Sequence, residues 1–329
     1  MFDVICVGGA TKDIFLNTKS ELINLRTENS SEELIAYPLG SKILVKDVVE
    51  SFGGGAFNAS VSLSRLGNKV GIISCLGSDY TGKEIEKRFR EESIKFLGCK
   101  SKAKSGFSII LDSFDEDRTI LSYRGSNEML SFNKINKNKI KAEWIYLSSV
   151  SGKALGTSEL IVKYAVKNKI KLFMNPSTYM AKLGFEKLSG IIKHLNILDL
   201  NKEEAEFITG EKGIEKNLKY LKNFVKDVVI ITDGKKGAYA YNGERFYRLK
   251  MRKNKVVETT GAGDAFASTF LSYFKSGETI KEALTMAGLN ARSVVSMYGA
   301  QNGLLTSEEL KRRTKKTEIS VRSSKKFIV

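Results

Sequence analysis

Strand-like and helix-like runs alternate along most of this 329-residue chain, and this alternation restricts its fold more than any other feature. Runs that predict strands lie at 2–8, 70–77, 145–149, 170–174, 195–199 and 227–232. Runs that predict helices lie at 56–66 and 80–94 and near 157–167, 182–193 and 213–224. Such an alternation is typical of a largely parallel sheet with helices on both faces. We therefore expect an α/β fold.

Two regions interrupt this alternation in the first part of the chain. Residues 14–50 contain a polar stretch followed by K-I-L-V-K-D-V-V-E, which predicts exposed β structure. Residues 105–124 contain two β-rich runs around an acidic turn, the pattern of a β-hairpin. We expect one domain over residues 1–329, with a small sheet built from about 14–50 and 102–127. That sheet could serve as a lid over a pocket or as a dimer contact.

Composition excludes several classes of protein. No run of about 18 apolar residues is present, so a membrane span is not expected. The first seven residues lack the basic region of a signal peptide, and we expect a cytoplasmic location. His194 is the single histidine, which argues against a histidine-based metal site or a Ser-His triad. Cys6, Cys75 and Cys99 are widely spaced, and we interpret them as small buried residues.

The formal net charge of +17 raises the possibility of a polyanionic partner. The excess is spread along the chain and is densest in residues 308–329, which hold eight basic and three acidic residues. We interpret this segment as a solvated basic C-terminal tail, and we do not expect nucleic acid as a partner. A nucleic-acid-binding protein would leave the glycine-rich segments described below without a role.

The segment Glu258–Phe266 (E-T-T-G-A-G-D-A-F) carries the strongest chemical signal. Its glycines leave successive backbone N–H groups unobstructed, and the helix that follows adds free donors and the positive end of its dipole. These donors can stabilise charge on a transferring phosphoryl group. Asp264, in the first helical turn, can accept a proton from an attacking hydroxyl. Taken alone, the glycines could simply permit a tight turn.

The string T-T-G-A-G-D-A-F resembles the C-terminal signature of the ribokinase-like (PfkB) carbohydrate kinases. The resemblance implies an anion hole formed by Gly261, Ala262 and Gly263, with Asp264 as the catalytic base. It also implies a three-layer sandwich with a central, mostly parallel sheet flanked by helices, plus a small β-sheet lid. Its cofactors would be ATP as co-substrate and Mg²⁺. The homologous segments run from Val4 to about Gly303.

Two N-terminal segments resemble the substrate-binding elements of the same family. Asp13 follows the first strand, and a carboxylate at that place suits the two hydroxyls of a vicinal diol. The string G-G-G-A-F-N is similar to the family's N-terminal signature. That similarity implies substrate contacts from Gly54, Gly55 and Asn58.

Further polar residues at strand ends resemble the family's nucleotide side. The implied nucleotide-binding residues are Asn175, Asn201, Thr232, Gly234, Gly237, Thr260 and Asn290. Glu204, in N-K-E-E, is the implied Mg²⁺ contact, through water. Asn201 could equally be a helix N-cap. Glu258 stands where many relatives have Asp, which leaves activation by a monovalent cation such as K⁺ open.

The sequence thus predicts an ATP-dependent phosphotransferase that acts on an alcohol group of a sugar. Two alternatives remain open, a nucleoside kinase on the same fold and a kinase-like protein retained for ligand sensing. Aromatic stacking on a base would distinguish the nucleoside kinase. Arg124 could meet an anionic substrate group, and a homodimer could form through the lid.

Overall fold

The computed structural model describes residues 1–18, 21–26, 31–112, 118–150, 152, 154–251, 257–315 and 319–328. The strands are β1 (Phe2–Val7), β2 (Thr11–Thr18), β3 (Glu21–Arg26), β4 (Ser31–Ala36), β5 (Val45–Gly53), β6 (Val70–Ile73), β7 (Cys75–Gly77), β8 (Lys95–Phe96), β9 (Cys99–Ser101), β10 (Gly106–Asp112), β11 (Arg118–Tyr123), β12 (Ala142–Leu147), β13 (Lys171–Met174), β14 (Ile197–Asn201), β15 (Val228–Thr232), β16 (Ala238–Tyr241), β17 (Phe246–Lys250) and β18 (Ser320–Ser324). The helices are α1 (Gly55–Arg65), α2 (Tyr80–Glu91), α3 (Ala154–Lys167), α4 (Thr178–Ala181), α5 (Gly184–Ile192), α6 (Lys202–Thr209), α7 (Ile214–Lys222), α8 (Ala262–Lys275), α9 (Ile280–Val294) and α10 (Ser307–Thr314).

Ten strands form the main sheet in the order β18-β17-β16-β15-β14-β13-β12-β1-β6-β8. The strands from β8 to β15 pair in parallel, and β16 to β18 continue the sheet antiparallel. The parallel strands are apolar on both faces because helices cover both faces. The expected α/β fold with a mostly parallel sheet is confirmed.

The alternation of side chains along each strand divides the core into two layers. On one face, Ile5 and Ile145 pack against α3, α5 and α7. On the other face, Val4 and Trp144 pack against α1, α2, α8 and α9. The helix–sheet–helix arrangement is the expected three-layer sandwich, and it places the N-terminus of α8 at the carboxyl edge of the parallel strands.

A separate four-stranded sheet, here called the small sheet, has the order β11-β10-β2-β5. Strands β10 and β11 form the antiparallel hairpin expected at 105–124, and the predicted acidic turn at 113–117 lies outside the described residues. Strand β2 pairs in parallel with β10 and antiparallel with β5. The polar stretch of 14–50 begins at residues 27–30, outside the described part of the chain, and continues into β4, which forms a separate hairpin with β3.

Two expectations about the elements need correction. The run 70–77 is two strands, because β6 belongs to the main sheet whereas β7 pairs with β9 in a two-stranded sheet. The basic segment 308–329 is more than a solvated tail, since it contains most of α10 and then β18 at the edge of the main sheet. Phe327 stacks on Tyr239, and this apolar contact fastens the segment. Residues 316–318 and 329 of that segment lie outside the described residues.

Within the described ranges, no helix is both long and apolar enough to cross a membrane.

Candidate active site

The segment 261–264 forms the first turn of α8. Gly261 is the N-cap, with a left-handed φ of 81°. A Cβ at this position would lie 2.5 Å from the Cβ of Ala300, so the close approach of the chains also requires glycine. A Cβ on Gly263, in contrast, would have no protein atom within 4 Å. The side-chain position of Gly263 is therefore open, next to the first-turn amides of α8, of which that of Ala262 donates a 3.3 Å hydrogen bond to the carbonyl of Thr259.

Asp264 is held by a direct contact with the N-terminal signature. Its Oδ2 accepts a hydrogen bond of 2.8 Å from Nδ2 of Asn58, and Oδ1 of Asn58 accepts one of 3.3 Å from Gln301. Burial raises the pKa of Asp264 to about 6, against the opposing effect of the Asn58 hydrogen bond, and the nearby charge of Asp13 raises it further. A carboxyl group with this pKa is mostly ionised at neutral pH and can accept a proton.

Asp13 lies on β2 in a row of polar side chains across the small sheet. The row is formed by directly paired residues of the four strands: Ser122, Ser108, Asp13 and Ser51. Asp13 is 5% exposed, and its Oδ1 accepts a hydrogen bond of 3.0 Å from Thr11. Burial raises its pKa, while hydrogen bonds from Thr11 and Ser108 act in the opposite direction.

A cavity of about 390 Å³, here called the acceptor cavity, lies between the small sheet and the start of α8. Its lining includes Asp13, Gly54, Gly55, Asn58, Thr260 and Asp264. Gly54 has a φ of 91°, and a Cβ there would lie 2.5 Å from the carbonyl oxygen of Gly9. This glycine lets the start of α1 lie directly against the end of β1. The structure thus brings the N-terminal and C-terminal signatures onto one cavity.

The cavity also has lining residues that the sequence alone did not place there. Ser108, Ser122, Ile110 and Ile120 come from the small sheet, and Asn127, Ser149, Val150 and Ser177 come from loops. Asn127 fixes one wall, because its side chain bonds both the N–H and the carbonyl of Ala10, each at 3.1 Å. The alternation of residues along the hairpin could have identified the serines, whereas the loop residues have no local signal.

Arg124 lines the same cavity and is the cationic side chain in its lining. Its guanidinium lies 4.6 Å from the centre of the Tyr179 ring, a cation–π contact. The ion pairs found between described residues include none to Arg124, although Asp13 and Asp264 line the same cavity.

A second, more open groove of about 380 Å³ lies beyond the carboxyl ends of β14 and β15. Its lining includes Asn201, Thr232 and Gly234, together with Lys202, Glu203, Glu206 and Asp233. The carboxyl edge of a parallel sheet is where ligands bind in open α/β folds. Three of the residues expected on the nucleotide side therefore meet in one groove.

Asn201 and Glu204 form a reciprocal capping box at the start of α6. The Asn201 side chain accepts from the Glu204 amide at 2.8 Å, and the Glu204 carboxylate accepts from the Asn201 amide at 2.9 Å. Burial raises the pKa of Glu204 to about 7, and the nearby charge of Asp264 raises it as well. The helix-capping alternative is thus correct for Asn201, and it coexists with its place in the groove.

Buried carboxyl groups extend from this capping box toward α8. Asp199 is 1% exposed, and its Oδ1 has no hydrogen-bond partner. Burial raises the pKa of Asp199 well above its usual range, and the charges of Glu204 and Asp264 act in the same direction. The described residues contain no cluster of three ligands that could hold a metal alone. A cation that keeps several water ligands, as Mg²⁺ does, fits this set because it would relieve the repulsion among the carboxylates.

Three residues expected on the nucleotide side line neither of the two cavities. Asn290 is fully buried and bonds Thr269 and the amide of Leu305, so it belongs to the core between α8 and α9. Gly237 closes the turn after β15, where a Cβ would lie 2.0 Å from the carbonyl oxygen of Leu249. Asn175 bonds the carbonyl of Asp199 and accepts from Tyr146, and it lines neither cavity described above.

The segment before α8 contains Glu258 and Thr260, the residues considered above for a monovalent-cation site. Glu258 is 6% exposed, and its Oε1 accepts a hydrogen bond of 2.6 Å from the amide of Thr260. The Thr260 hydroxyl is buried without a hydrogen-bond partner. The carboxylate of Glu258 therefore shapes the loop that leads into the anion-binding turn.

Comparison with known proteins identifies a family match over residues 25–307, to the pfkB family carbohydrate kinases. The chain is 28% identical over 267 residues to the ribokinase of Haemophilus influenzae, covering 79% of this chain and 86% of that protein. Its fold is similar to a nucleoside kinase of Methanocaldococcus jannaschii, with a TM-score of 0.76 and 21% identity, over 96% of this chain and 99% of that one.

A putative ribokinase II from E. coli, solved with ATP and Mg²⁺, has a TM-score of 0.80 and 17% identity to this chain. The match covers 96% of this chain and all of that one. These structural likenesses concern the fold, whereas the family match includes the glycine-rich turn and Asp264 described above. The chain therefore belongs to the pfkB family of carbohydrate kinases.

Proposed function

We propose that this protein transfers the γ-phosphoryl group of ATP to a hydroxyl group of a sugar, with Mg²⁺ as cofactor. One observation carries the proposal. Asp264 sits in the first turn of α8, bonded to Asn58, on the same cavity as Asp13. A proton acceptor, a set of backbone amides and a hydroxyl-binding carboxylate thus meet at one place, as in-line phosphoryl transfer requires.

In this mechanism Asp13 and the neighbouring serines bind hydroxyl groups of the acceptor. Asp264 accepts the proton of the attacking hydroxyl as the oxygen approaches the phosphorus. The amides of Gly261 and Gly263 donate to the phosphoryl oxygens, where negative charge accumulates, and the Ala262 amide joins them in place of its long 3.3 Å bond to the Thr259 carbonyl. The small sheet covers the cavity as a lid and excludes water, which would otherwise compete as the acceptor.

Glu204, with Asp199 near it, is the group that would hold Mg²⁺ through water on the nucleotide side. When bound, the ion neutralises charge on the phosphates of the donor. The groove lined by Asn201, Thr232 and Gly234 is the proposed nucleotide site. The relative solved with ATP and Mg²⁺ supports this assignment through its similar fold.

The lining of the acceptor cavity favours a sugar over a nucleoside. None of the described residues that line it is aromatic, so no ring is in place to stack on a base. The row containing Asp13, Ser108 and Ser122 instead offers several hydrogen-bonding groups to hydroxyls. Arg124 adds a positive charge for an anionic oxygen group, either on the acceptor or on the phosphoryl group in transfer.

The outer face of the small sheet suggests a homodimer. Most side chains that alternate with the polar row are apolar, with Lys12 and Glu50 as charged exceptions, and Leu121 and Val48 are more than half exposed there. A large exposed apolar patch of this kind is often an interaction site. A second copy of the chain is the proposed cover, and light scattering on the purified protein measures it directly.

Two further assignments are part of the proposal. Thr260 and Glu258 could contribute to a K⁺ site, and the unpartnered hydroxyl of Thr260 supports this. The three cysteines are free thiols, which suits the reducing conditions of the cytoplasm, the proposed location.

The test is a coupled assay of ADP release across pentoses, hexoses, acidic sugars, sugar phosphates and nucleosides, with Mg²⁺ and with or without K⁺. We expect ADP release that depends on one sugar or a few related sugars, well above the rate with water as the acceptor. Release with nucleosides alone would favour the nucleoside kinase. Absence of acceptor-dependent release throughout, from protein that binds ATP, would favour a ligand sensor.

A further inference from the structure

Cys75 and Cys99 are direct neighbours on two parallel strands away from the proposed nucleotide groove. They are paired residues in the β7–β9 ladder, so their side chains leave the sheet on the same face. Each cysteine shifts the pKa of the other, as adjacent titrating groups do. Paired residues on adjacent strands have the Cα separation that a disulfide spans. Both cysteines are free thiols in this structure.

The environment distinguishes the two sulfur atoms. Cys75 is fully buried, and the neighbouring Cys99 together with burial raises its pKa. Cys99 is 7% exposed, and the neighbouring Cys75 lowers its pKa. The backbone of Ser131 and the charge of Lys134 also lower the pKa of Cys99, against the effect of burial.

Cys6 provides a contrast within the same chain. It is fully buried on β1, on the opposite face of the main sheet from the layer that contains Cys75 and Cys99. Burial raises the pKa of Cys6 to about 12, so it remains a thiol. It therefore has neither a neighbouring cysteine nor thiolate character.

We propose that Cys75 and Cys99 are a modification site, a dithiol that peroxide oxidises to a disulfide between β7 and β9. In the first step the Cys99 sulfur attacks one oxygen of hydrogen peroxide, the O–O bond breaks, and sulfenic acid and water form. The Cys75 sulfur then attacks the Cys99 sulfur, the S–O bond breaks, and the hydroxyl leaves as water with the Cys75 proton. Two thiols are oxidised, and peroxide is reduced to water.

The position of the pair gives the bond a structural consequence. The carbonyl of Cys75 accepts a hydrogen bond of 2.8 Å from Ser126, next to the cavity-lining residue Asn127. Gly77, at the end of β7, donates to Ser105 at the root of the small sheet. A covalent bond between β7 and β9 would therefore stabilise the segments that contact Ser105 and Ser126, where the small sheet joins the main body of the protein. This inference does not depend on the proposed catalytic function.

The experiment treats the reduced, folded full-length protein with a small excess of hydrogen peroxide. We expect intact mass spectrometry to show the loss of two hydrogen atoms, and peptide mapping to join the Cys75 and Cys99 peptides with Cys6 free. The melting midpoint should rise by about 5 °C, since the bond closes a long loop in the unfolded chain. Dithiothreitol should reverse both changes.

Three variants make the result decisive. Cys6→Ala should still form the cross-link and show the full shift of the melting midpoint. Cys99→Ser and Cys75→Ala should lose both the cross-link and the shift of the melting midpoint. If one of these two variants does not fold, the other is sufficient for the test. The proposal is overturned if wild type gains only oxygen atoms at Cys99, if the cross-link includes Cys6, or if no mass change occurs while a denatured control reacts.

Discussion

The acceptor cavity and the nucleotide groove are built in different ways. In the acceptor cavity the chemical groups bond one another, as Asn58 does with Asp264. In the groove the polar side chains bond backbone groups, as Asn201 does in its capping box and Thr232 does with the carbonyl of Leu200 on the neighbouring strand. Contacts between side chains of distant elements thus assemble the first region, whereas bonds from side chains to backbone at strand and helix ends assemble the second.

This difference suggests a division of work between the two regions. Groups that must meet a reacting atom are fixed from several elements, which preserves their geometry during the reaction. A nucleotide brings its own charge and hydrogen-bonding groups, so exposed element ends are sufficient to receive it. Changes in the acceptor cavity should therefore affect turnover, and changes in the groove should affect nucleotide and metal affinity.

The largest effect should come from Asp264→Asn. Asparagine keeps the size of the side chain and removes the proton acceptor, so turnover should fall by about 10²–10⁴-fold. The rate of ADP formation at saturating sugar and ATP measures it. Circular dichroism provides the control for folding. Turnover within about threefold of wild type would show that another group is the base.

Gly263→Ala tests the anion-binding role of the first turn of α8, and Gly261→Ala is the matched control. A Cβ on Gly263 meets no protein atom, so the fold should tolerate it, whereas turnover should fall by about 10²-fold as the methyl group displaces the phosphoryl group. Gly261→Ala combines left-handed backbone with contact to Ala300 and should lose about 1–3 kcal/mol of stability. Equal turnover of Gly263→Ala and wild type would contradict the anion-binding role.

Glu204→Gln tests the groove without removing the helix cap, since glutamine retains an oxygen that accepts from the Asn201 amide. Loss of the charge should raise the Mg²⁺ concentration needed for half-maximal activity by about tenfold. Glu211→Gln, an exposed residue just after α6 that lines neither cavity, is the control and should leave Mg²⁺ dependence unchanged. If Glu204→Gln has the same Mg²⁺ dependence as the control variant, Glu204 acts only as a helix cap.

Asn290→Ala should have the smallest effect on catalysis. The side chain bonds Thr269 and Leu305 inside the core, so its loss should cost about 1–3 kcal/mol of unfolding free energy. The KM for ATP should not change. Denaturant unfolding and steady-state kinetics together measure both quantities. A raised KM for ATP with unchanged stability would indicate that Asn290 binds the nucleotide.

The sequence predicted the fold well because its signals are local. Strand and helix periodicity predicted the main sheet, and the two glycine signatures pointed to Asp264 and Asn58, whose roles remain predictions. Nothing local indicated that Asn58 bonds Asp264, since 206 positions separate them. Likewise, Asn290 has the polarity of a binding residue, and only the packing of α8 against α9 shows that its partners are internal.

Residues assigned by position alone were less secure. Gly237 and Asn175 follow strands, as ligand-binding residues do. Gly237 nevertheless closes a turn, and Asn175 forms hydrogen bonds to residues of two neighbouring strands. A strand end gives the edge of the sheet but not the direction of the side chain. The serines of the small sheet could have been found from the alternation along β10 and β11 once their pairing with Asp13 was known.

The most direct test of the catalytic account is the pH dependence of turnover for wild type and Asn58→Ala, with a neutral acceptor. The base must be ionised, so wild-type turnover should fall about tenfold per pH unit below the Asp264 pKa of about 6. The Asn58 hydrogen bond lowers that pKa, so its removal should move the acid limb to higher pH. Any titration of the nucleotide itself is the same for the two proteins. Identical acid limbs in the two pH profiles would therefore contradict the assignment of Asp264 as the base.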